Sequence, residues 1–385
     1  MIPTSIPYGR QTISPEDIEA VLAVLKSDFL TQGPAIPHFE QRLSSLCRGA
    51  DSVVVNSATS GLHLACMALN IGPGDSVWTS PNTFVASANC ARYCGASVGF
   101  VDIDPISFNL CPNRLESELL KASHSNSLPK VVIPVHFAGQ PCDMGAIHDL
   151  QRRFEFHLIE DASHAVGATY GPTVVGDGTF SDFTIFSFHP VKIVTSGEGG
   201  AIMTRSASYA RSLRMLRSHG ITRDPSELID QTQGMWYYEQ HELGYNYRMT
   251  DIQAALGASQ LQRIEAMIER RHQIADRYDT ELSGLELDLP LRLPGRRSAM
   301  HLYCIQVPDR RRVYDALREQ GLGVNVHYIP VHLQPYYRKL GFRPGDFPVS
   351  ESFYRSALSI PMYSGLCDED QSKVIRAIQG VIPCR

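Results

Sequence analysis

Short apolar segments alternate with helical patterns through the first two thirds of the chain, and this alternation limits the possible folds more than any other feature. Strands are predicted at residues 52–56, 75–79, 97–101, 130–136 and 157–160. Helices are predicted at 61–70, 84–94 and 144–154. Because the strand segments are apolar throughout, both faces of the sheet are expected to be covered. The pattern predicts an α/β fold with a mostly parallel sheet between helices.

The pattern changes near residue 250. Thr250 is a predicted N-cap with Asp251 in the first turn, and apolar residues keep helical spacing to about residue 282. A connector rich in Pro and Arg follows at 290–297. Next comes a predicted β-α-β unit, with strands at 301–307 and 323–328 around a helix. We therefore expect a large domain over residues 1–250 and a smaller one over 251–385.

Composition excludes several classes of protein. The chain has 385 residues, enough for two domains, and its net charge of −5 gives no reason to expect a polyanion partner. The start of the chain has no basic segment followed by an apolar one, and no apolar run reaches the ~20 residues of a membrane span, so we expect a cytoplasmic protein. The nine cysteines are an odd number, which favours free thiols in a reducing compartment.

Residues 56–61 place small polar side chains between a predicted strand and a predicted helix, in the order Asn-Ser-Ala-Thr-Ser-Gly. Amides at a helix N-terminus bind phosphate, and short hydroxyl side chains add donors. A plain capped helix explains this segment equally well.

Asp161 ends a predicted buried strand, where ligands of open α/β sheets bind. A buried carboxylate is costly without a cation, and a protonated pyridine nitrogen is one such cation. His164, three residues later, is a candidate to contact the ring hydroxyl or the substrate. The alternative is that Asp161 caps the next helix, which leaves Glu160 unexplained.

Lys192 follows an apolar strand and aromatic residues, in the order FTIFSFHPVK from residue 183. Such surroundings remove water from a lysine, lower its pKa and favour its reaction with a carbonyl group. A surface lysine with its stem on apolar side chains is the open alternative. The glycines at 197, 199 and 200 allow a ligand close to the backbone, but their spacing does not fit a dinucleotide-binding loop.

The order of these features, a phosphate loop, a strand-end Asp, a Ser and then a Lys, is that of fold-type I pyridoxal-phosphate enzymes. The segments FSFHPVK and TSGEGGA resemble the sugar aminotransferases of the DegT/DnrJ/EryC/StrS family. Further segments, such as IPYGRQ, NSATSGL, EDASHA and LGYNYRMTDIQAALG, resemble the members of that family in the pseudaminic-acid pathway. The similarity covers nearly the whole chain.

The resemblance implies a role for each matching residue. Lys192 corresponds to the lysine that carries pyridoxal 5'-phosphate, Asp161 to the partner of its ring nitrogen, and His164 to a further catalytic residue. The residues implied to bind the cofactor are Ser57, Ala58, Thr59, Phe84, Asp161, His164, Ser187, Lys192 and Asn246. Those implied to bind the substrate are Tyr8, Asp28, Phe29, Leu30, Thr31, His189, Asn246, Asn325, Val326, His327 and Tyr328.

Asn246 is implied to reach the site of a partner subunit, so a homodimer is expected. The implied reaction moves an amino group from L-glutamate to C4 of a UDP-linked 4-keto-6-deoxy sugar. Relatives that remove a hydroxyl from the sugar carry a histidine at the position of Lys192. The lysine therefore favours transamination over dehydration. Three alternatives stay open: a perosamine-type enzyme acting on a GDP sugar, a regulator that binds the cofactor without catalysis, and a zinc hydrolase using His136, His164 and His189. No metal motif supports the last of these.

Overall fold

The α/β class is confirmed by a computed structural model, which describes residues 6–385. The strands are β1 (Asp51–Val55), β2 (Ser76–Thr79), β3 (Ser97–Phe100), β4 (Val131–Ile133), β5 (His157–Asp161), β6 (Thr169–Tyr170), β7 (Thr173–Val174), β8 (Phe183–Ser187), β9 (Gly200–Thr204), β10 (Ile221–Thr222), β11 (Glu239–Gln240), β12 (Arg296–Arg297), β13 (Tyr303–Gln306) and β14 (Ala357–Ile360). The α-helices are α1 (Pro15–Leu25), α2 (Ala35–Leu46), α3 (Ala58–Ala68), α4 (Ala86–Tyr93), α5 (Pro112–His124), α6 (Met144–Phe154), α7 (Ala207–Arg217), α8 (Asp251–Leu261), α9 (Ile264–Leu282), α10 (Arg310–Glu319), α11 (Pro335–Arg338), α12 (Pro348–Ser356) and α13 (Asp368–Val381).

Seven strands form the central sheet, in the order β1-β9-β8-β5-β4-β2-β3. The five strands from β8 to β3 are parallel, and β9 runs antiparallel to both of its neighbours. The prediction of a mostly parallel sheet is therefore confirmed. β4, β8 and β9 are buried along their whole length, which agrees with their mostly apolar sequences.

The direction of the strands brings distant residues to one edge. β1 is parallel to β8, because β9 is antiparallel to both. The C-terminal ends of β1, β5 and β8 therefore meet at the same edge as the N-terminus of β9. Ser57, Asp161, Ser187 and Gly200 lie at or next to these ends. This is the edge where ligands bind in open α/β sheets.

The helix predicted from Asp251 to about residue 282 is two helices, so the prediction of one continuous helix is wrong. Thr250 caps α8 as predicted, but the chain turns at Arg263 before α9 begins. The Arg263 guanidinium is 2.5 Å from the buried carboxylate of Asp17 in α1, which holds the turn in place. α8 packs against α1 and α2, whereas the second half of α9 packs in an apolar cluster with β13, β14 and α13. These different packing surfaces explain a break that helical spacing does not reveal.

The prediction of a strand at residues 323–328 is also wrong. This segment makes one isolated bridge, between Asn325 and Ser359, and the regular partner of β13 is β14. The Asn325 side chain accepts a hydrogen bond from the next amide, that of Val326 (2.8 Å), and so takes the place of a neighbouring strand.

The apolar core is divided into clusters that follow the chain. One cluster contains residues from the second half of α9, β13, α10, β14 and α13, together with Ile6 from the start of the chain. Others lie on the two faces of the seven-stranded sheet. The division into domains at residue 250 stays a prediction.

Candidate active site

A cavity of about 590 Å³ opens at the edge of the sheet where β1, β5 and β8 end. The segment at residues 325–328 forms its opposite wall. The predicted site residues that line it are Tyr8, Ser57, Ala58, Thr59, Phe84, Asp161, His164, Ser187, His189, Lys192, Asn325, Val326, His327 and Tyr328. The structure thus brings together most of the residues that were predicted to bind cofactor or substrate.

The N-terminus of α3 forms one end of the cavity. The Ser57 hydroxyl accepts a hydrogen bond from the Ser60 amide (3.1 Å), and the Ser60 hydroxyl donates one to Asn56 Oδ1 (2.6 Å). The amide of Ala58, in the first turn, has no acceptor within the helix. A Cβ atom on Gly200 would be 2.6 Å from the Ala58 nitrogen, so only glycine fits behind this turn. The result is a rigid helix N-terminus that is suited to an anion.

Asp161 lies deeper in the cavity and is 5% exposed. Its Oδ2 accepts a hydrogen bond from the Ser87 hydroxyl (2.6 Å) and its Oδ1 one from the Ser163 amide (3.1 Å). Throughout residues 6–385, no Lys, Arg or His nitrogen lies within 4.0 Å of this carboxylate. A buried carboxylate held in this way is suited to a cation that a ligand brings. Ser87 was not predicted, although it lies one turn beyond Phe84 in the predicted helix.

Phe84 stands at the mouth of the cavity, before α4. It lines the cavity but is 60% exposed, and its ring centroid is 6.4 Å from that of Tyr328. Much of the ring surface is therefore open to a flat group in the cavity, which is what aromatic stacking requires.

Lys192 follows β8 after a turn in which its amide donates to the carbonyl of His189 (2.9 Å). Burial of the amine in the cavity wall lowers the pKa of Lys192 to about 8, although the carboxylate of Asp161 acts in the opposite direction. The amine is consequently unprotonated in about half of the molecules near pH 8. A lysine in this state is a nucleophile and a base.

The lowered pKa predicts how the reactivity of the Lys192 amine changes with pH. In the protein without ligand, acetylation of Lys192 by acetic anhydride should rise with pH around a midpoint near 8. In Asp161→Asn the midpoint should fall, because the carboxylate that favours the ammonium form is gone. Peptide mass spectrometry after labelling across the pH range measures both. A wild-type midpoint near the ordinary lysine value of about 10.4 would contradict the assignment.

Two imidazoles and a phenol form another part of the wall. His164 Nε2 is 3.0 Å from the Tyr328 hydroxyl, and His327 Nδ1 is 2.8 Å from the Ser359 hydroxyl. Burial, with a smaller contribution from Lys192, lowers the pKa of His327 to about 3 and holds the pKa of His164 well below its usual value. Burial also raises the pKa of Tyr328. All three groups are therefore uncharged near neutral pH, and they are donors and acceptors of hydrogen bonds.

Glu160, which the sequence left unexplained, faces away from the site. Its carboxylate contacts His136 Nε2 (2.7 Å) and accepts a hydrogen bond from the Ser181 hydroxyl (2.6 Å). The Cys142 amide donates to His136 Nδ1 (3.0 Å), so the imidazole carries its proton on Nε2 and donates it to Glu160. The two adjacent carboxylates at the end of β5 thus have different partners.

Two groups of predicted site residues do not line the cavity of this chain. Residues 28–31 form an exposed turn between α1 and α2. Asn246 is exposed and pairs with Ser218 through an isolated antiparallel bridge. The contacts predicted for both groups stay predictions.

Across the described part of the chain, no group of three or more His, Cys, Asp or Glu side chains has a geometry that could hold a metal ion. His136 is occupied by Glu160, which removes one of the three histidines of the zinc alternative. No helix between residues 6 and 385 is both long and apolar enough to cross a membrane.

Comparison with known proteins gives consistent matches along the whole chain. The sequence profile of the DegT/DnrJ/EryC1/StrS aminotransferase family matches residues 11–379. The spore coat polysaccharide biosynthesis protein SpsC of Bacillus subtilis is 37% identical over 98% of this chain and 97% of its own length.

Two of the similar solved structures are described as aminotransferases. The putative sugar aminotransferase Spr1654 of Streptococcus pneumoniae, in its apo form, has a TM-score of 0.89 at 30% identity and covers 98% of this chain and 97% of its own. It has also been solved in PMP and PLP forms. PseC of Helicobacter pylori, an aminotransferase of pseudaminic acid biosynthesis, has a TM-score of 0.90 at 27% identity, covering 98% of this chain and 99% of its own.

Proposed function

The chain belongs to the DegT/DnrJ/EryC1/StrS aminotransferase family, and on that basis we propose that it transfers an amino group to a nucleotide sugar with pyridoxal 5'-phosphate as cofactor. The proposed donor is L-glutamate, and the proposed acceptor is C4 of UDP-2-acetamido-2,6-dideoxy-β-L-arabino-hex-4-ulose. The product would be UDP-4-amino-4,6-dideoxy-N-acetyl-β-L-altrosamine, an intermediate of pseudaminic acid biosynthesis. The observation that carries the proposal is that Lys192, Asp161 and the α3 N-terminus open into one cavity.

The residues of the cavity fit this cofactor. The α3 N-terminus, with Ser187 at the end of β8, would hold the phosphate. Asp161, buried without a cationic partner among residues 6–385, would pair with the protonated ring nitrogen. Phe84 would stack on the cofactor ring, and His164, which lines the same cavity, would contact the hydroxyl of that ring. Each of these elements offers a group that the cofactor needs.

The reaction uses the lowered basicity of Lys192. When bound, pyridoxal phosphate supplies a carbonyl carbon for the amino group and a ring that withdraws electrons from the donor's Cα. The Lys192 amine, with its pKa near 8, accepts the proton from the Cα of glutamate. Nζ would pass this proton to the cofactor's carbonyl carbon, and in the second half of the reaction it would take a proton from that carbon and deliver it to the sugar's C4. Asp161 would keep the ring nitrogen protonated through both halves.

The substrate is proposed to enter from the side of residues 325–328. His327 and Tyr328 are uncharged near neutral pH, as their shifted pKa values indicate, and the Tyr8 ring lies 5.4 Å from that of His327. Such groups form hydrogen bonds with sugar hydroxyls without requiring a charged ligand. The choice of the UDP sugar is supported by the resemblance to the pseudaminic-acid group and by the likeness to PseC.

A homodimer is proposed as the functional unit. The segment before Asn246 exposes large apolar side chains, with Ile229 88%, Trp236 78% and Leu243 80% exposed. An apolar surface of this kind is typical of a region that a second subunit covers. In the proposed dimer, Asn246 would contact the cofactor or substrate in the partner's site.

The test is to incubate the protein with glutamate, pyridoxal phosphate and either the UDP-linked keto sugar or a GDP-linked 4-keto-6-deoxy sugar. The proposal expects the UDP-linked 4-amino sugar, identified by mass spectrometry and NMR, and little product from the GDP sugar. Amination of the GDP sugar alone would favour the perosamine-type alternative. Cofactor binding without amination of either sugar would favour the non-catalytic regulator.

A further inference from the structure

His301 lies in the cavity wall through contacts between backbones that are distant in sequence. The His301 amide donates to the carbonyl of Ala138, and the Ala299 amide donates to that of Gly139 (both 2.9 Å). Gly139 has a φ of +98°, and a Cβ there would be 3.0 Å from the His301 nitrogen and 2.9 Å from the His164 carbonyl oxygen. This close approach puts the His301 and His164 ring centroids 4.4 Å apart.

A buried arginine holds the other side of the same peptide. Arg271 in α9 is 1% exposed, and its Nη1 donates to the carbonyls of Met300 (3.1 Å), His301 (3.2 Å) and Met362 (3.2 Å). Within the described residues, no carboxylate forms an ion pair with this guanidinium. Because a buried cation needs its hydrogen bonds, Arg271 fixes the backbone of His301 tightly.

The imidazole of His301, in contrast, has no hydrogen-bond partner among residues 6–385. The residue is 3% exposed, and its Nδ1 makes no hydrogen bond. No bond from its Nε2 to another described residue is formed either, and the ring lines the cavity. Buried polar atoms almost always have hydrogen-bond partners. A rigidly held ring without one is therefore completed by a group that enters the cavity.

The charge state of the ring selects the chemistry of that group. Burial, followed by the nearby His164, Lys192 and Arg271, holds the pKa of His301 well below its usual value. A neutral imidazole has one donor and one acceptor. A hydroxyl matches this pair, whereas a carboxylate only accepts and would favour a charged ring.

We propose that His301 is a ligand-contacting residue of this site, whose imidazole binds a hydroxyl group of the cofactor ring or of the sugar, with Gly139 and Arg271 as its positioning residues. This inference rests on the proposed function, since both hydroxyls belong to the ligands proposed there. The cofactor hydroxyl and the sugar hydroxyl would form the same kind of hydrogen bond. They can be distinguished because the cofactor binds before the sugar.

The test compares His301→Leu, which keeps an apolar side chain of moderate size, with His301→Gln, which restores a donor and an acceptor. His332→Leu is the matched control: His332 is fully buried and contacts Glu351 (3.0 Å), but it does not line the cavity. Three quantities are measured for each protein: the affinity and absorbance spectrum with pyridoxal phosphate alone, the Kd for the UDP sugar, and the rate of the half-reaction with glutamate. Thermal unfolding of each variant reports on the fold.

Loss of the imidazole in His301→Leu should weaken the binding of the contacted ligand by about tenfold, and His301→Gln should recover part of this affinity. A change in cofactor affinity or spectrum supports the cofactor hydroxyl as the source. A change confined to the sugar's Kd supports a sugar hydroxyl. Cofactor and sugar binding equal to that of His332→Leu, or a change only in the glutamate half-reaction, would overturn the inference. If the wild type and the control also fail to bind the cofactor, the proposed function is at fault instead.

Discussion

Replacing Lys192 by alanine should abolish transamination and leave cofactor binding largely intact. The α3 N-terminus, Asp161 and Phe84 are unchanged in this variant, so the phosphate and ring contacts proposed for them remain. The amine that takes up and returns protons is gone, and such acid–base catalysis is commonly worth ~10²–10⁴-fold. The rate of amino-sugar formation and the absorbance of the protein after gel filtration with pyridoxal phosphate measure the two effects separately.

Lys339→Ala is the control for this experiment. Lys339 is exposed, follows α11 and does not line the cavity, so its loss should change neither quantity. A Lys192→Ala protein that retains the wild-type rate would show that another residue carries out the proton transfers.

Replacing Asp161 by asparagine should cause the second large loss. The side chain keeps its shape and one oxygen, so a contact with the Ser87 hydroxyl or the Ser163 amide can persist. The negative charge is lost, and the ring nitrogen would no longer be kept protonated. Removal of one preorganised electrostatic contact typically costs on the order of 10²–10³-fold in kcat. Steady-state kinetics with the UDP sugar, together with the absorbance spectrum of the bound cofactor, measure this loss.

Asp182→Asn is the matched control for Asp161→Asn. Asp182 accepts a hydrogen bond from the Leu158 amide (2.9 Å) beside the same strand, at the opposite end of β5 from Asp161. Its replacement removes a carboxylate of the large sheet without touching the cavity. If Asp161→Asn turned over as fast as Asp182→Asn, a charge partner for the ring would not be needed and the assignment of Asp161 would be wrong.

The parts of the fold that local sequence determines could be predicted. Continuous apolar strands and the polar residues at their ends indicate a parallel sheet with a site at its carboxyl edge, and β5 with Asp161 is at that edge. The break at Arg263 could not be predicted, because it depends on Asp17, some 250 residues earlier in the sequence. The irregular segment at 323–328 likewise depends on distant pairing, because β14 is the regular partner of β13 and the segment makes only one isolated bridge, to Ser359.

The same distinction applies to the site. For Lys192 and Ser57, residue type and position left a structural alternative open and the family resemblance implied the role; both line the cavity. Ser87 and His301 were not predicted, since a serine inside a helix and a histidine at the start of a strand carry no chemical signal by themselves. Their roles depend on contacts that are distant in sequence: Ser87 bonds to Asp161, and His301 packs closely against Gly139.

We propose that the Lys192 amine is the group that bonds covalently to the cofactor, and one measurement tests this most directly. The protein is loaded with pyridoxal phosphate and treated with borohydride, which fixes the cofactor on the amine that binds it, and its peptides are then mapped by mass spectrometry. We expect the added mass on the peptide containing Lys192 and on no other lysine in stoichiometric amount. Labelling at a different lysine, or active enzyme that borohydride leaves unlabelled, would contradict the account.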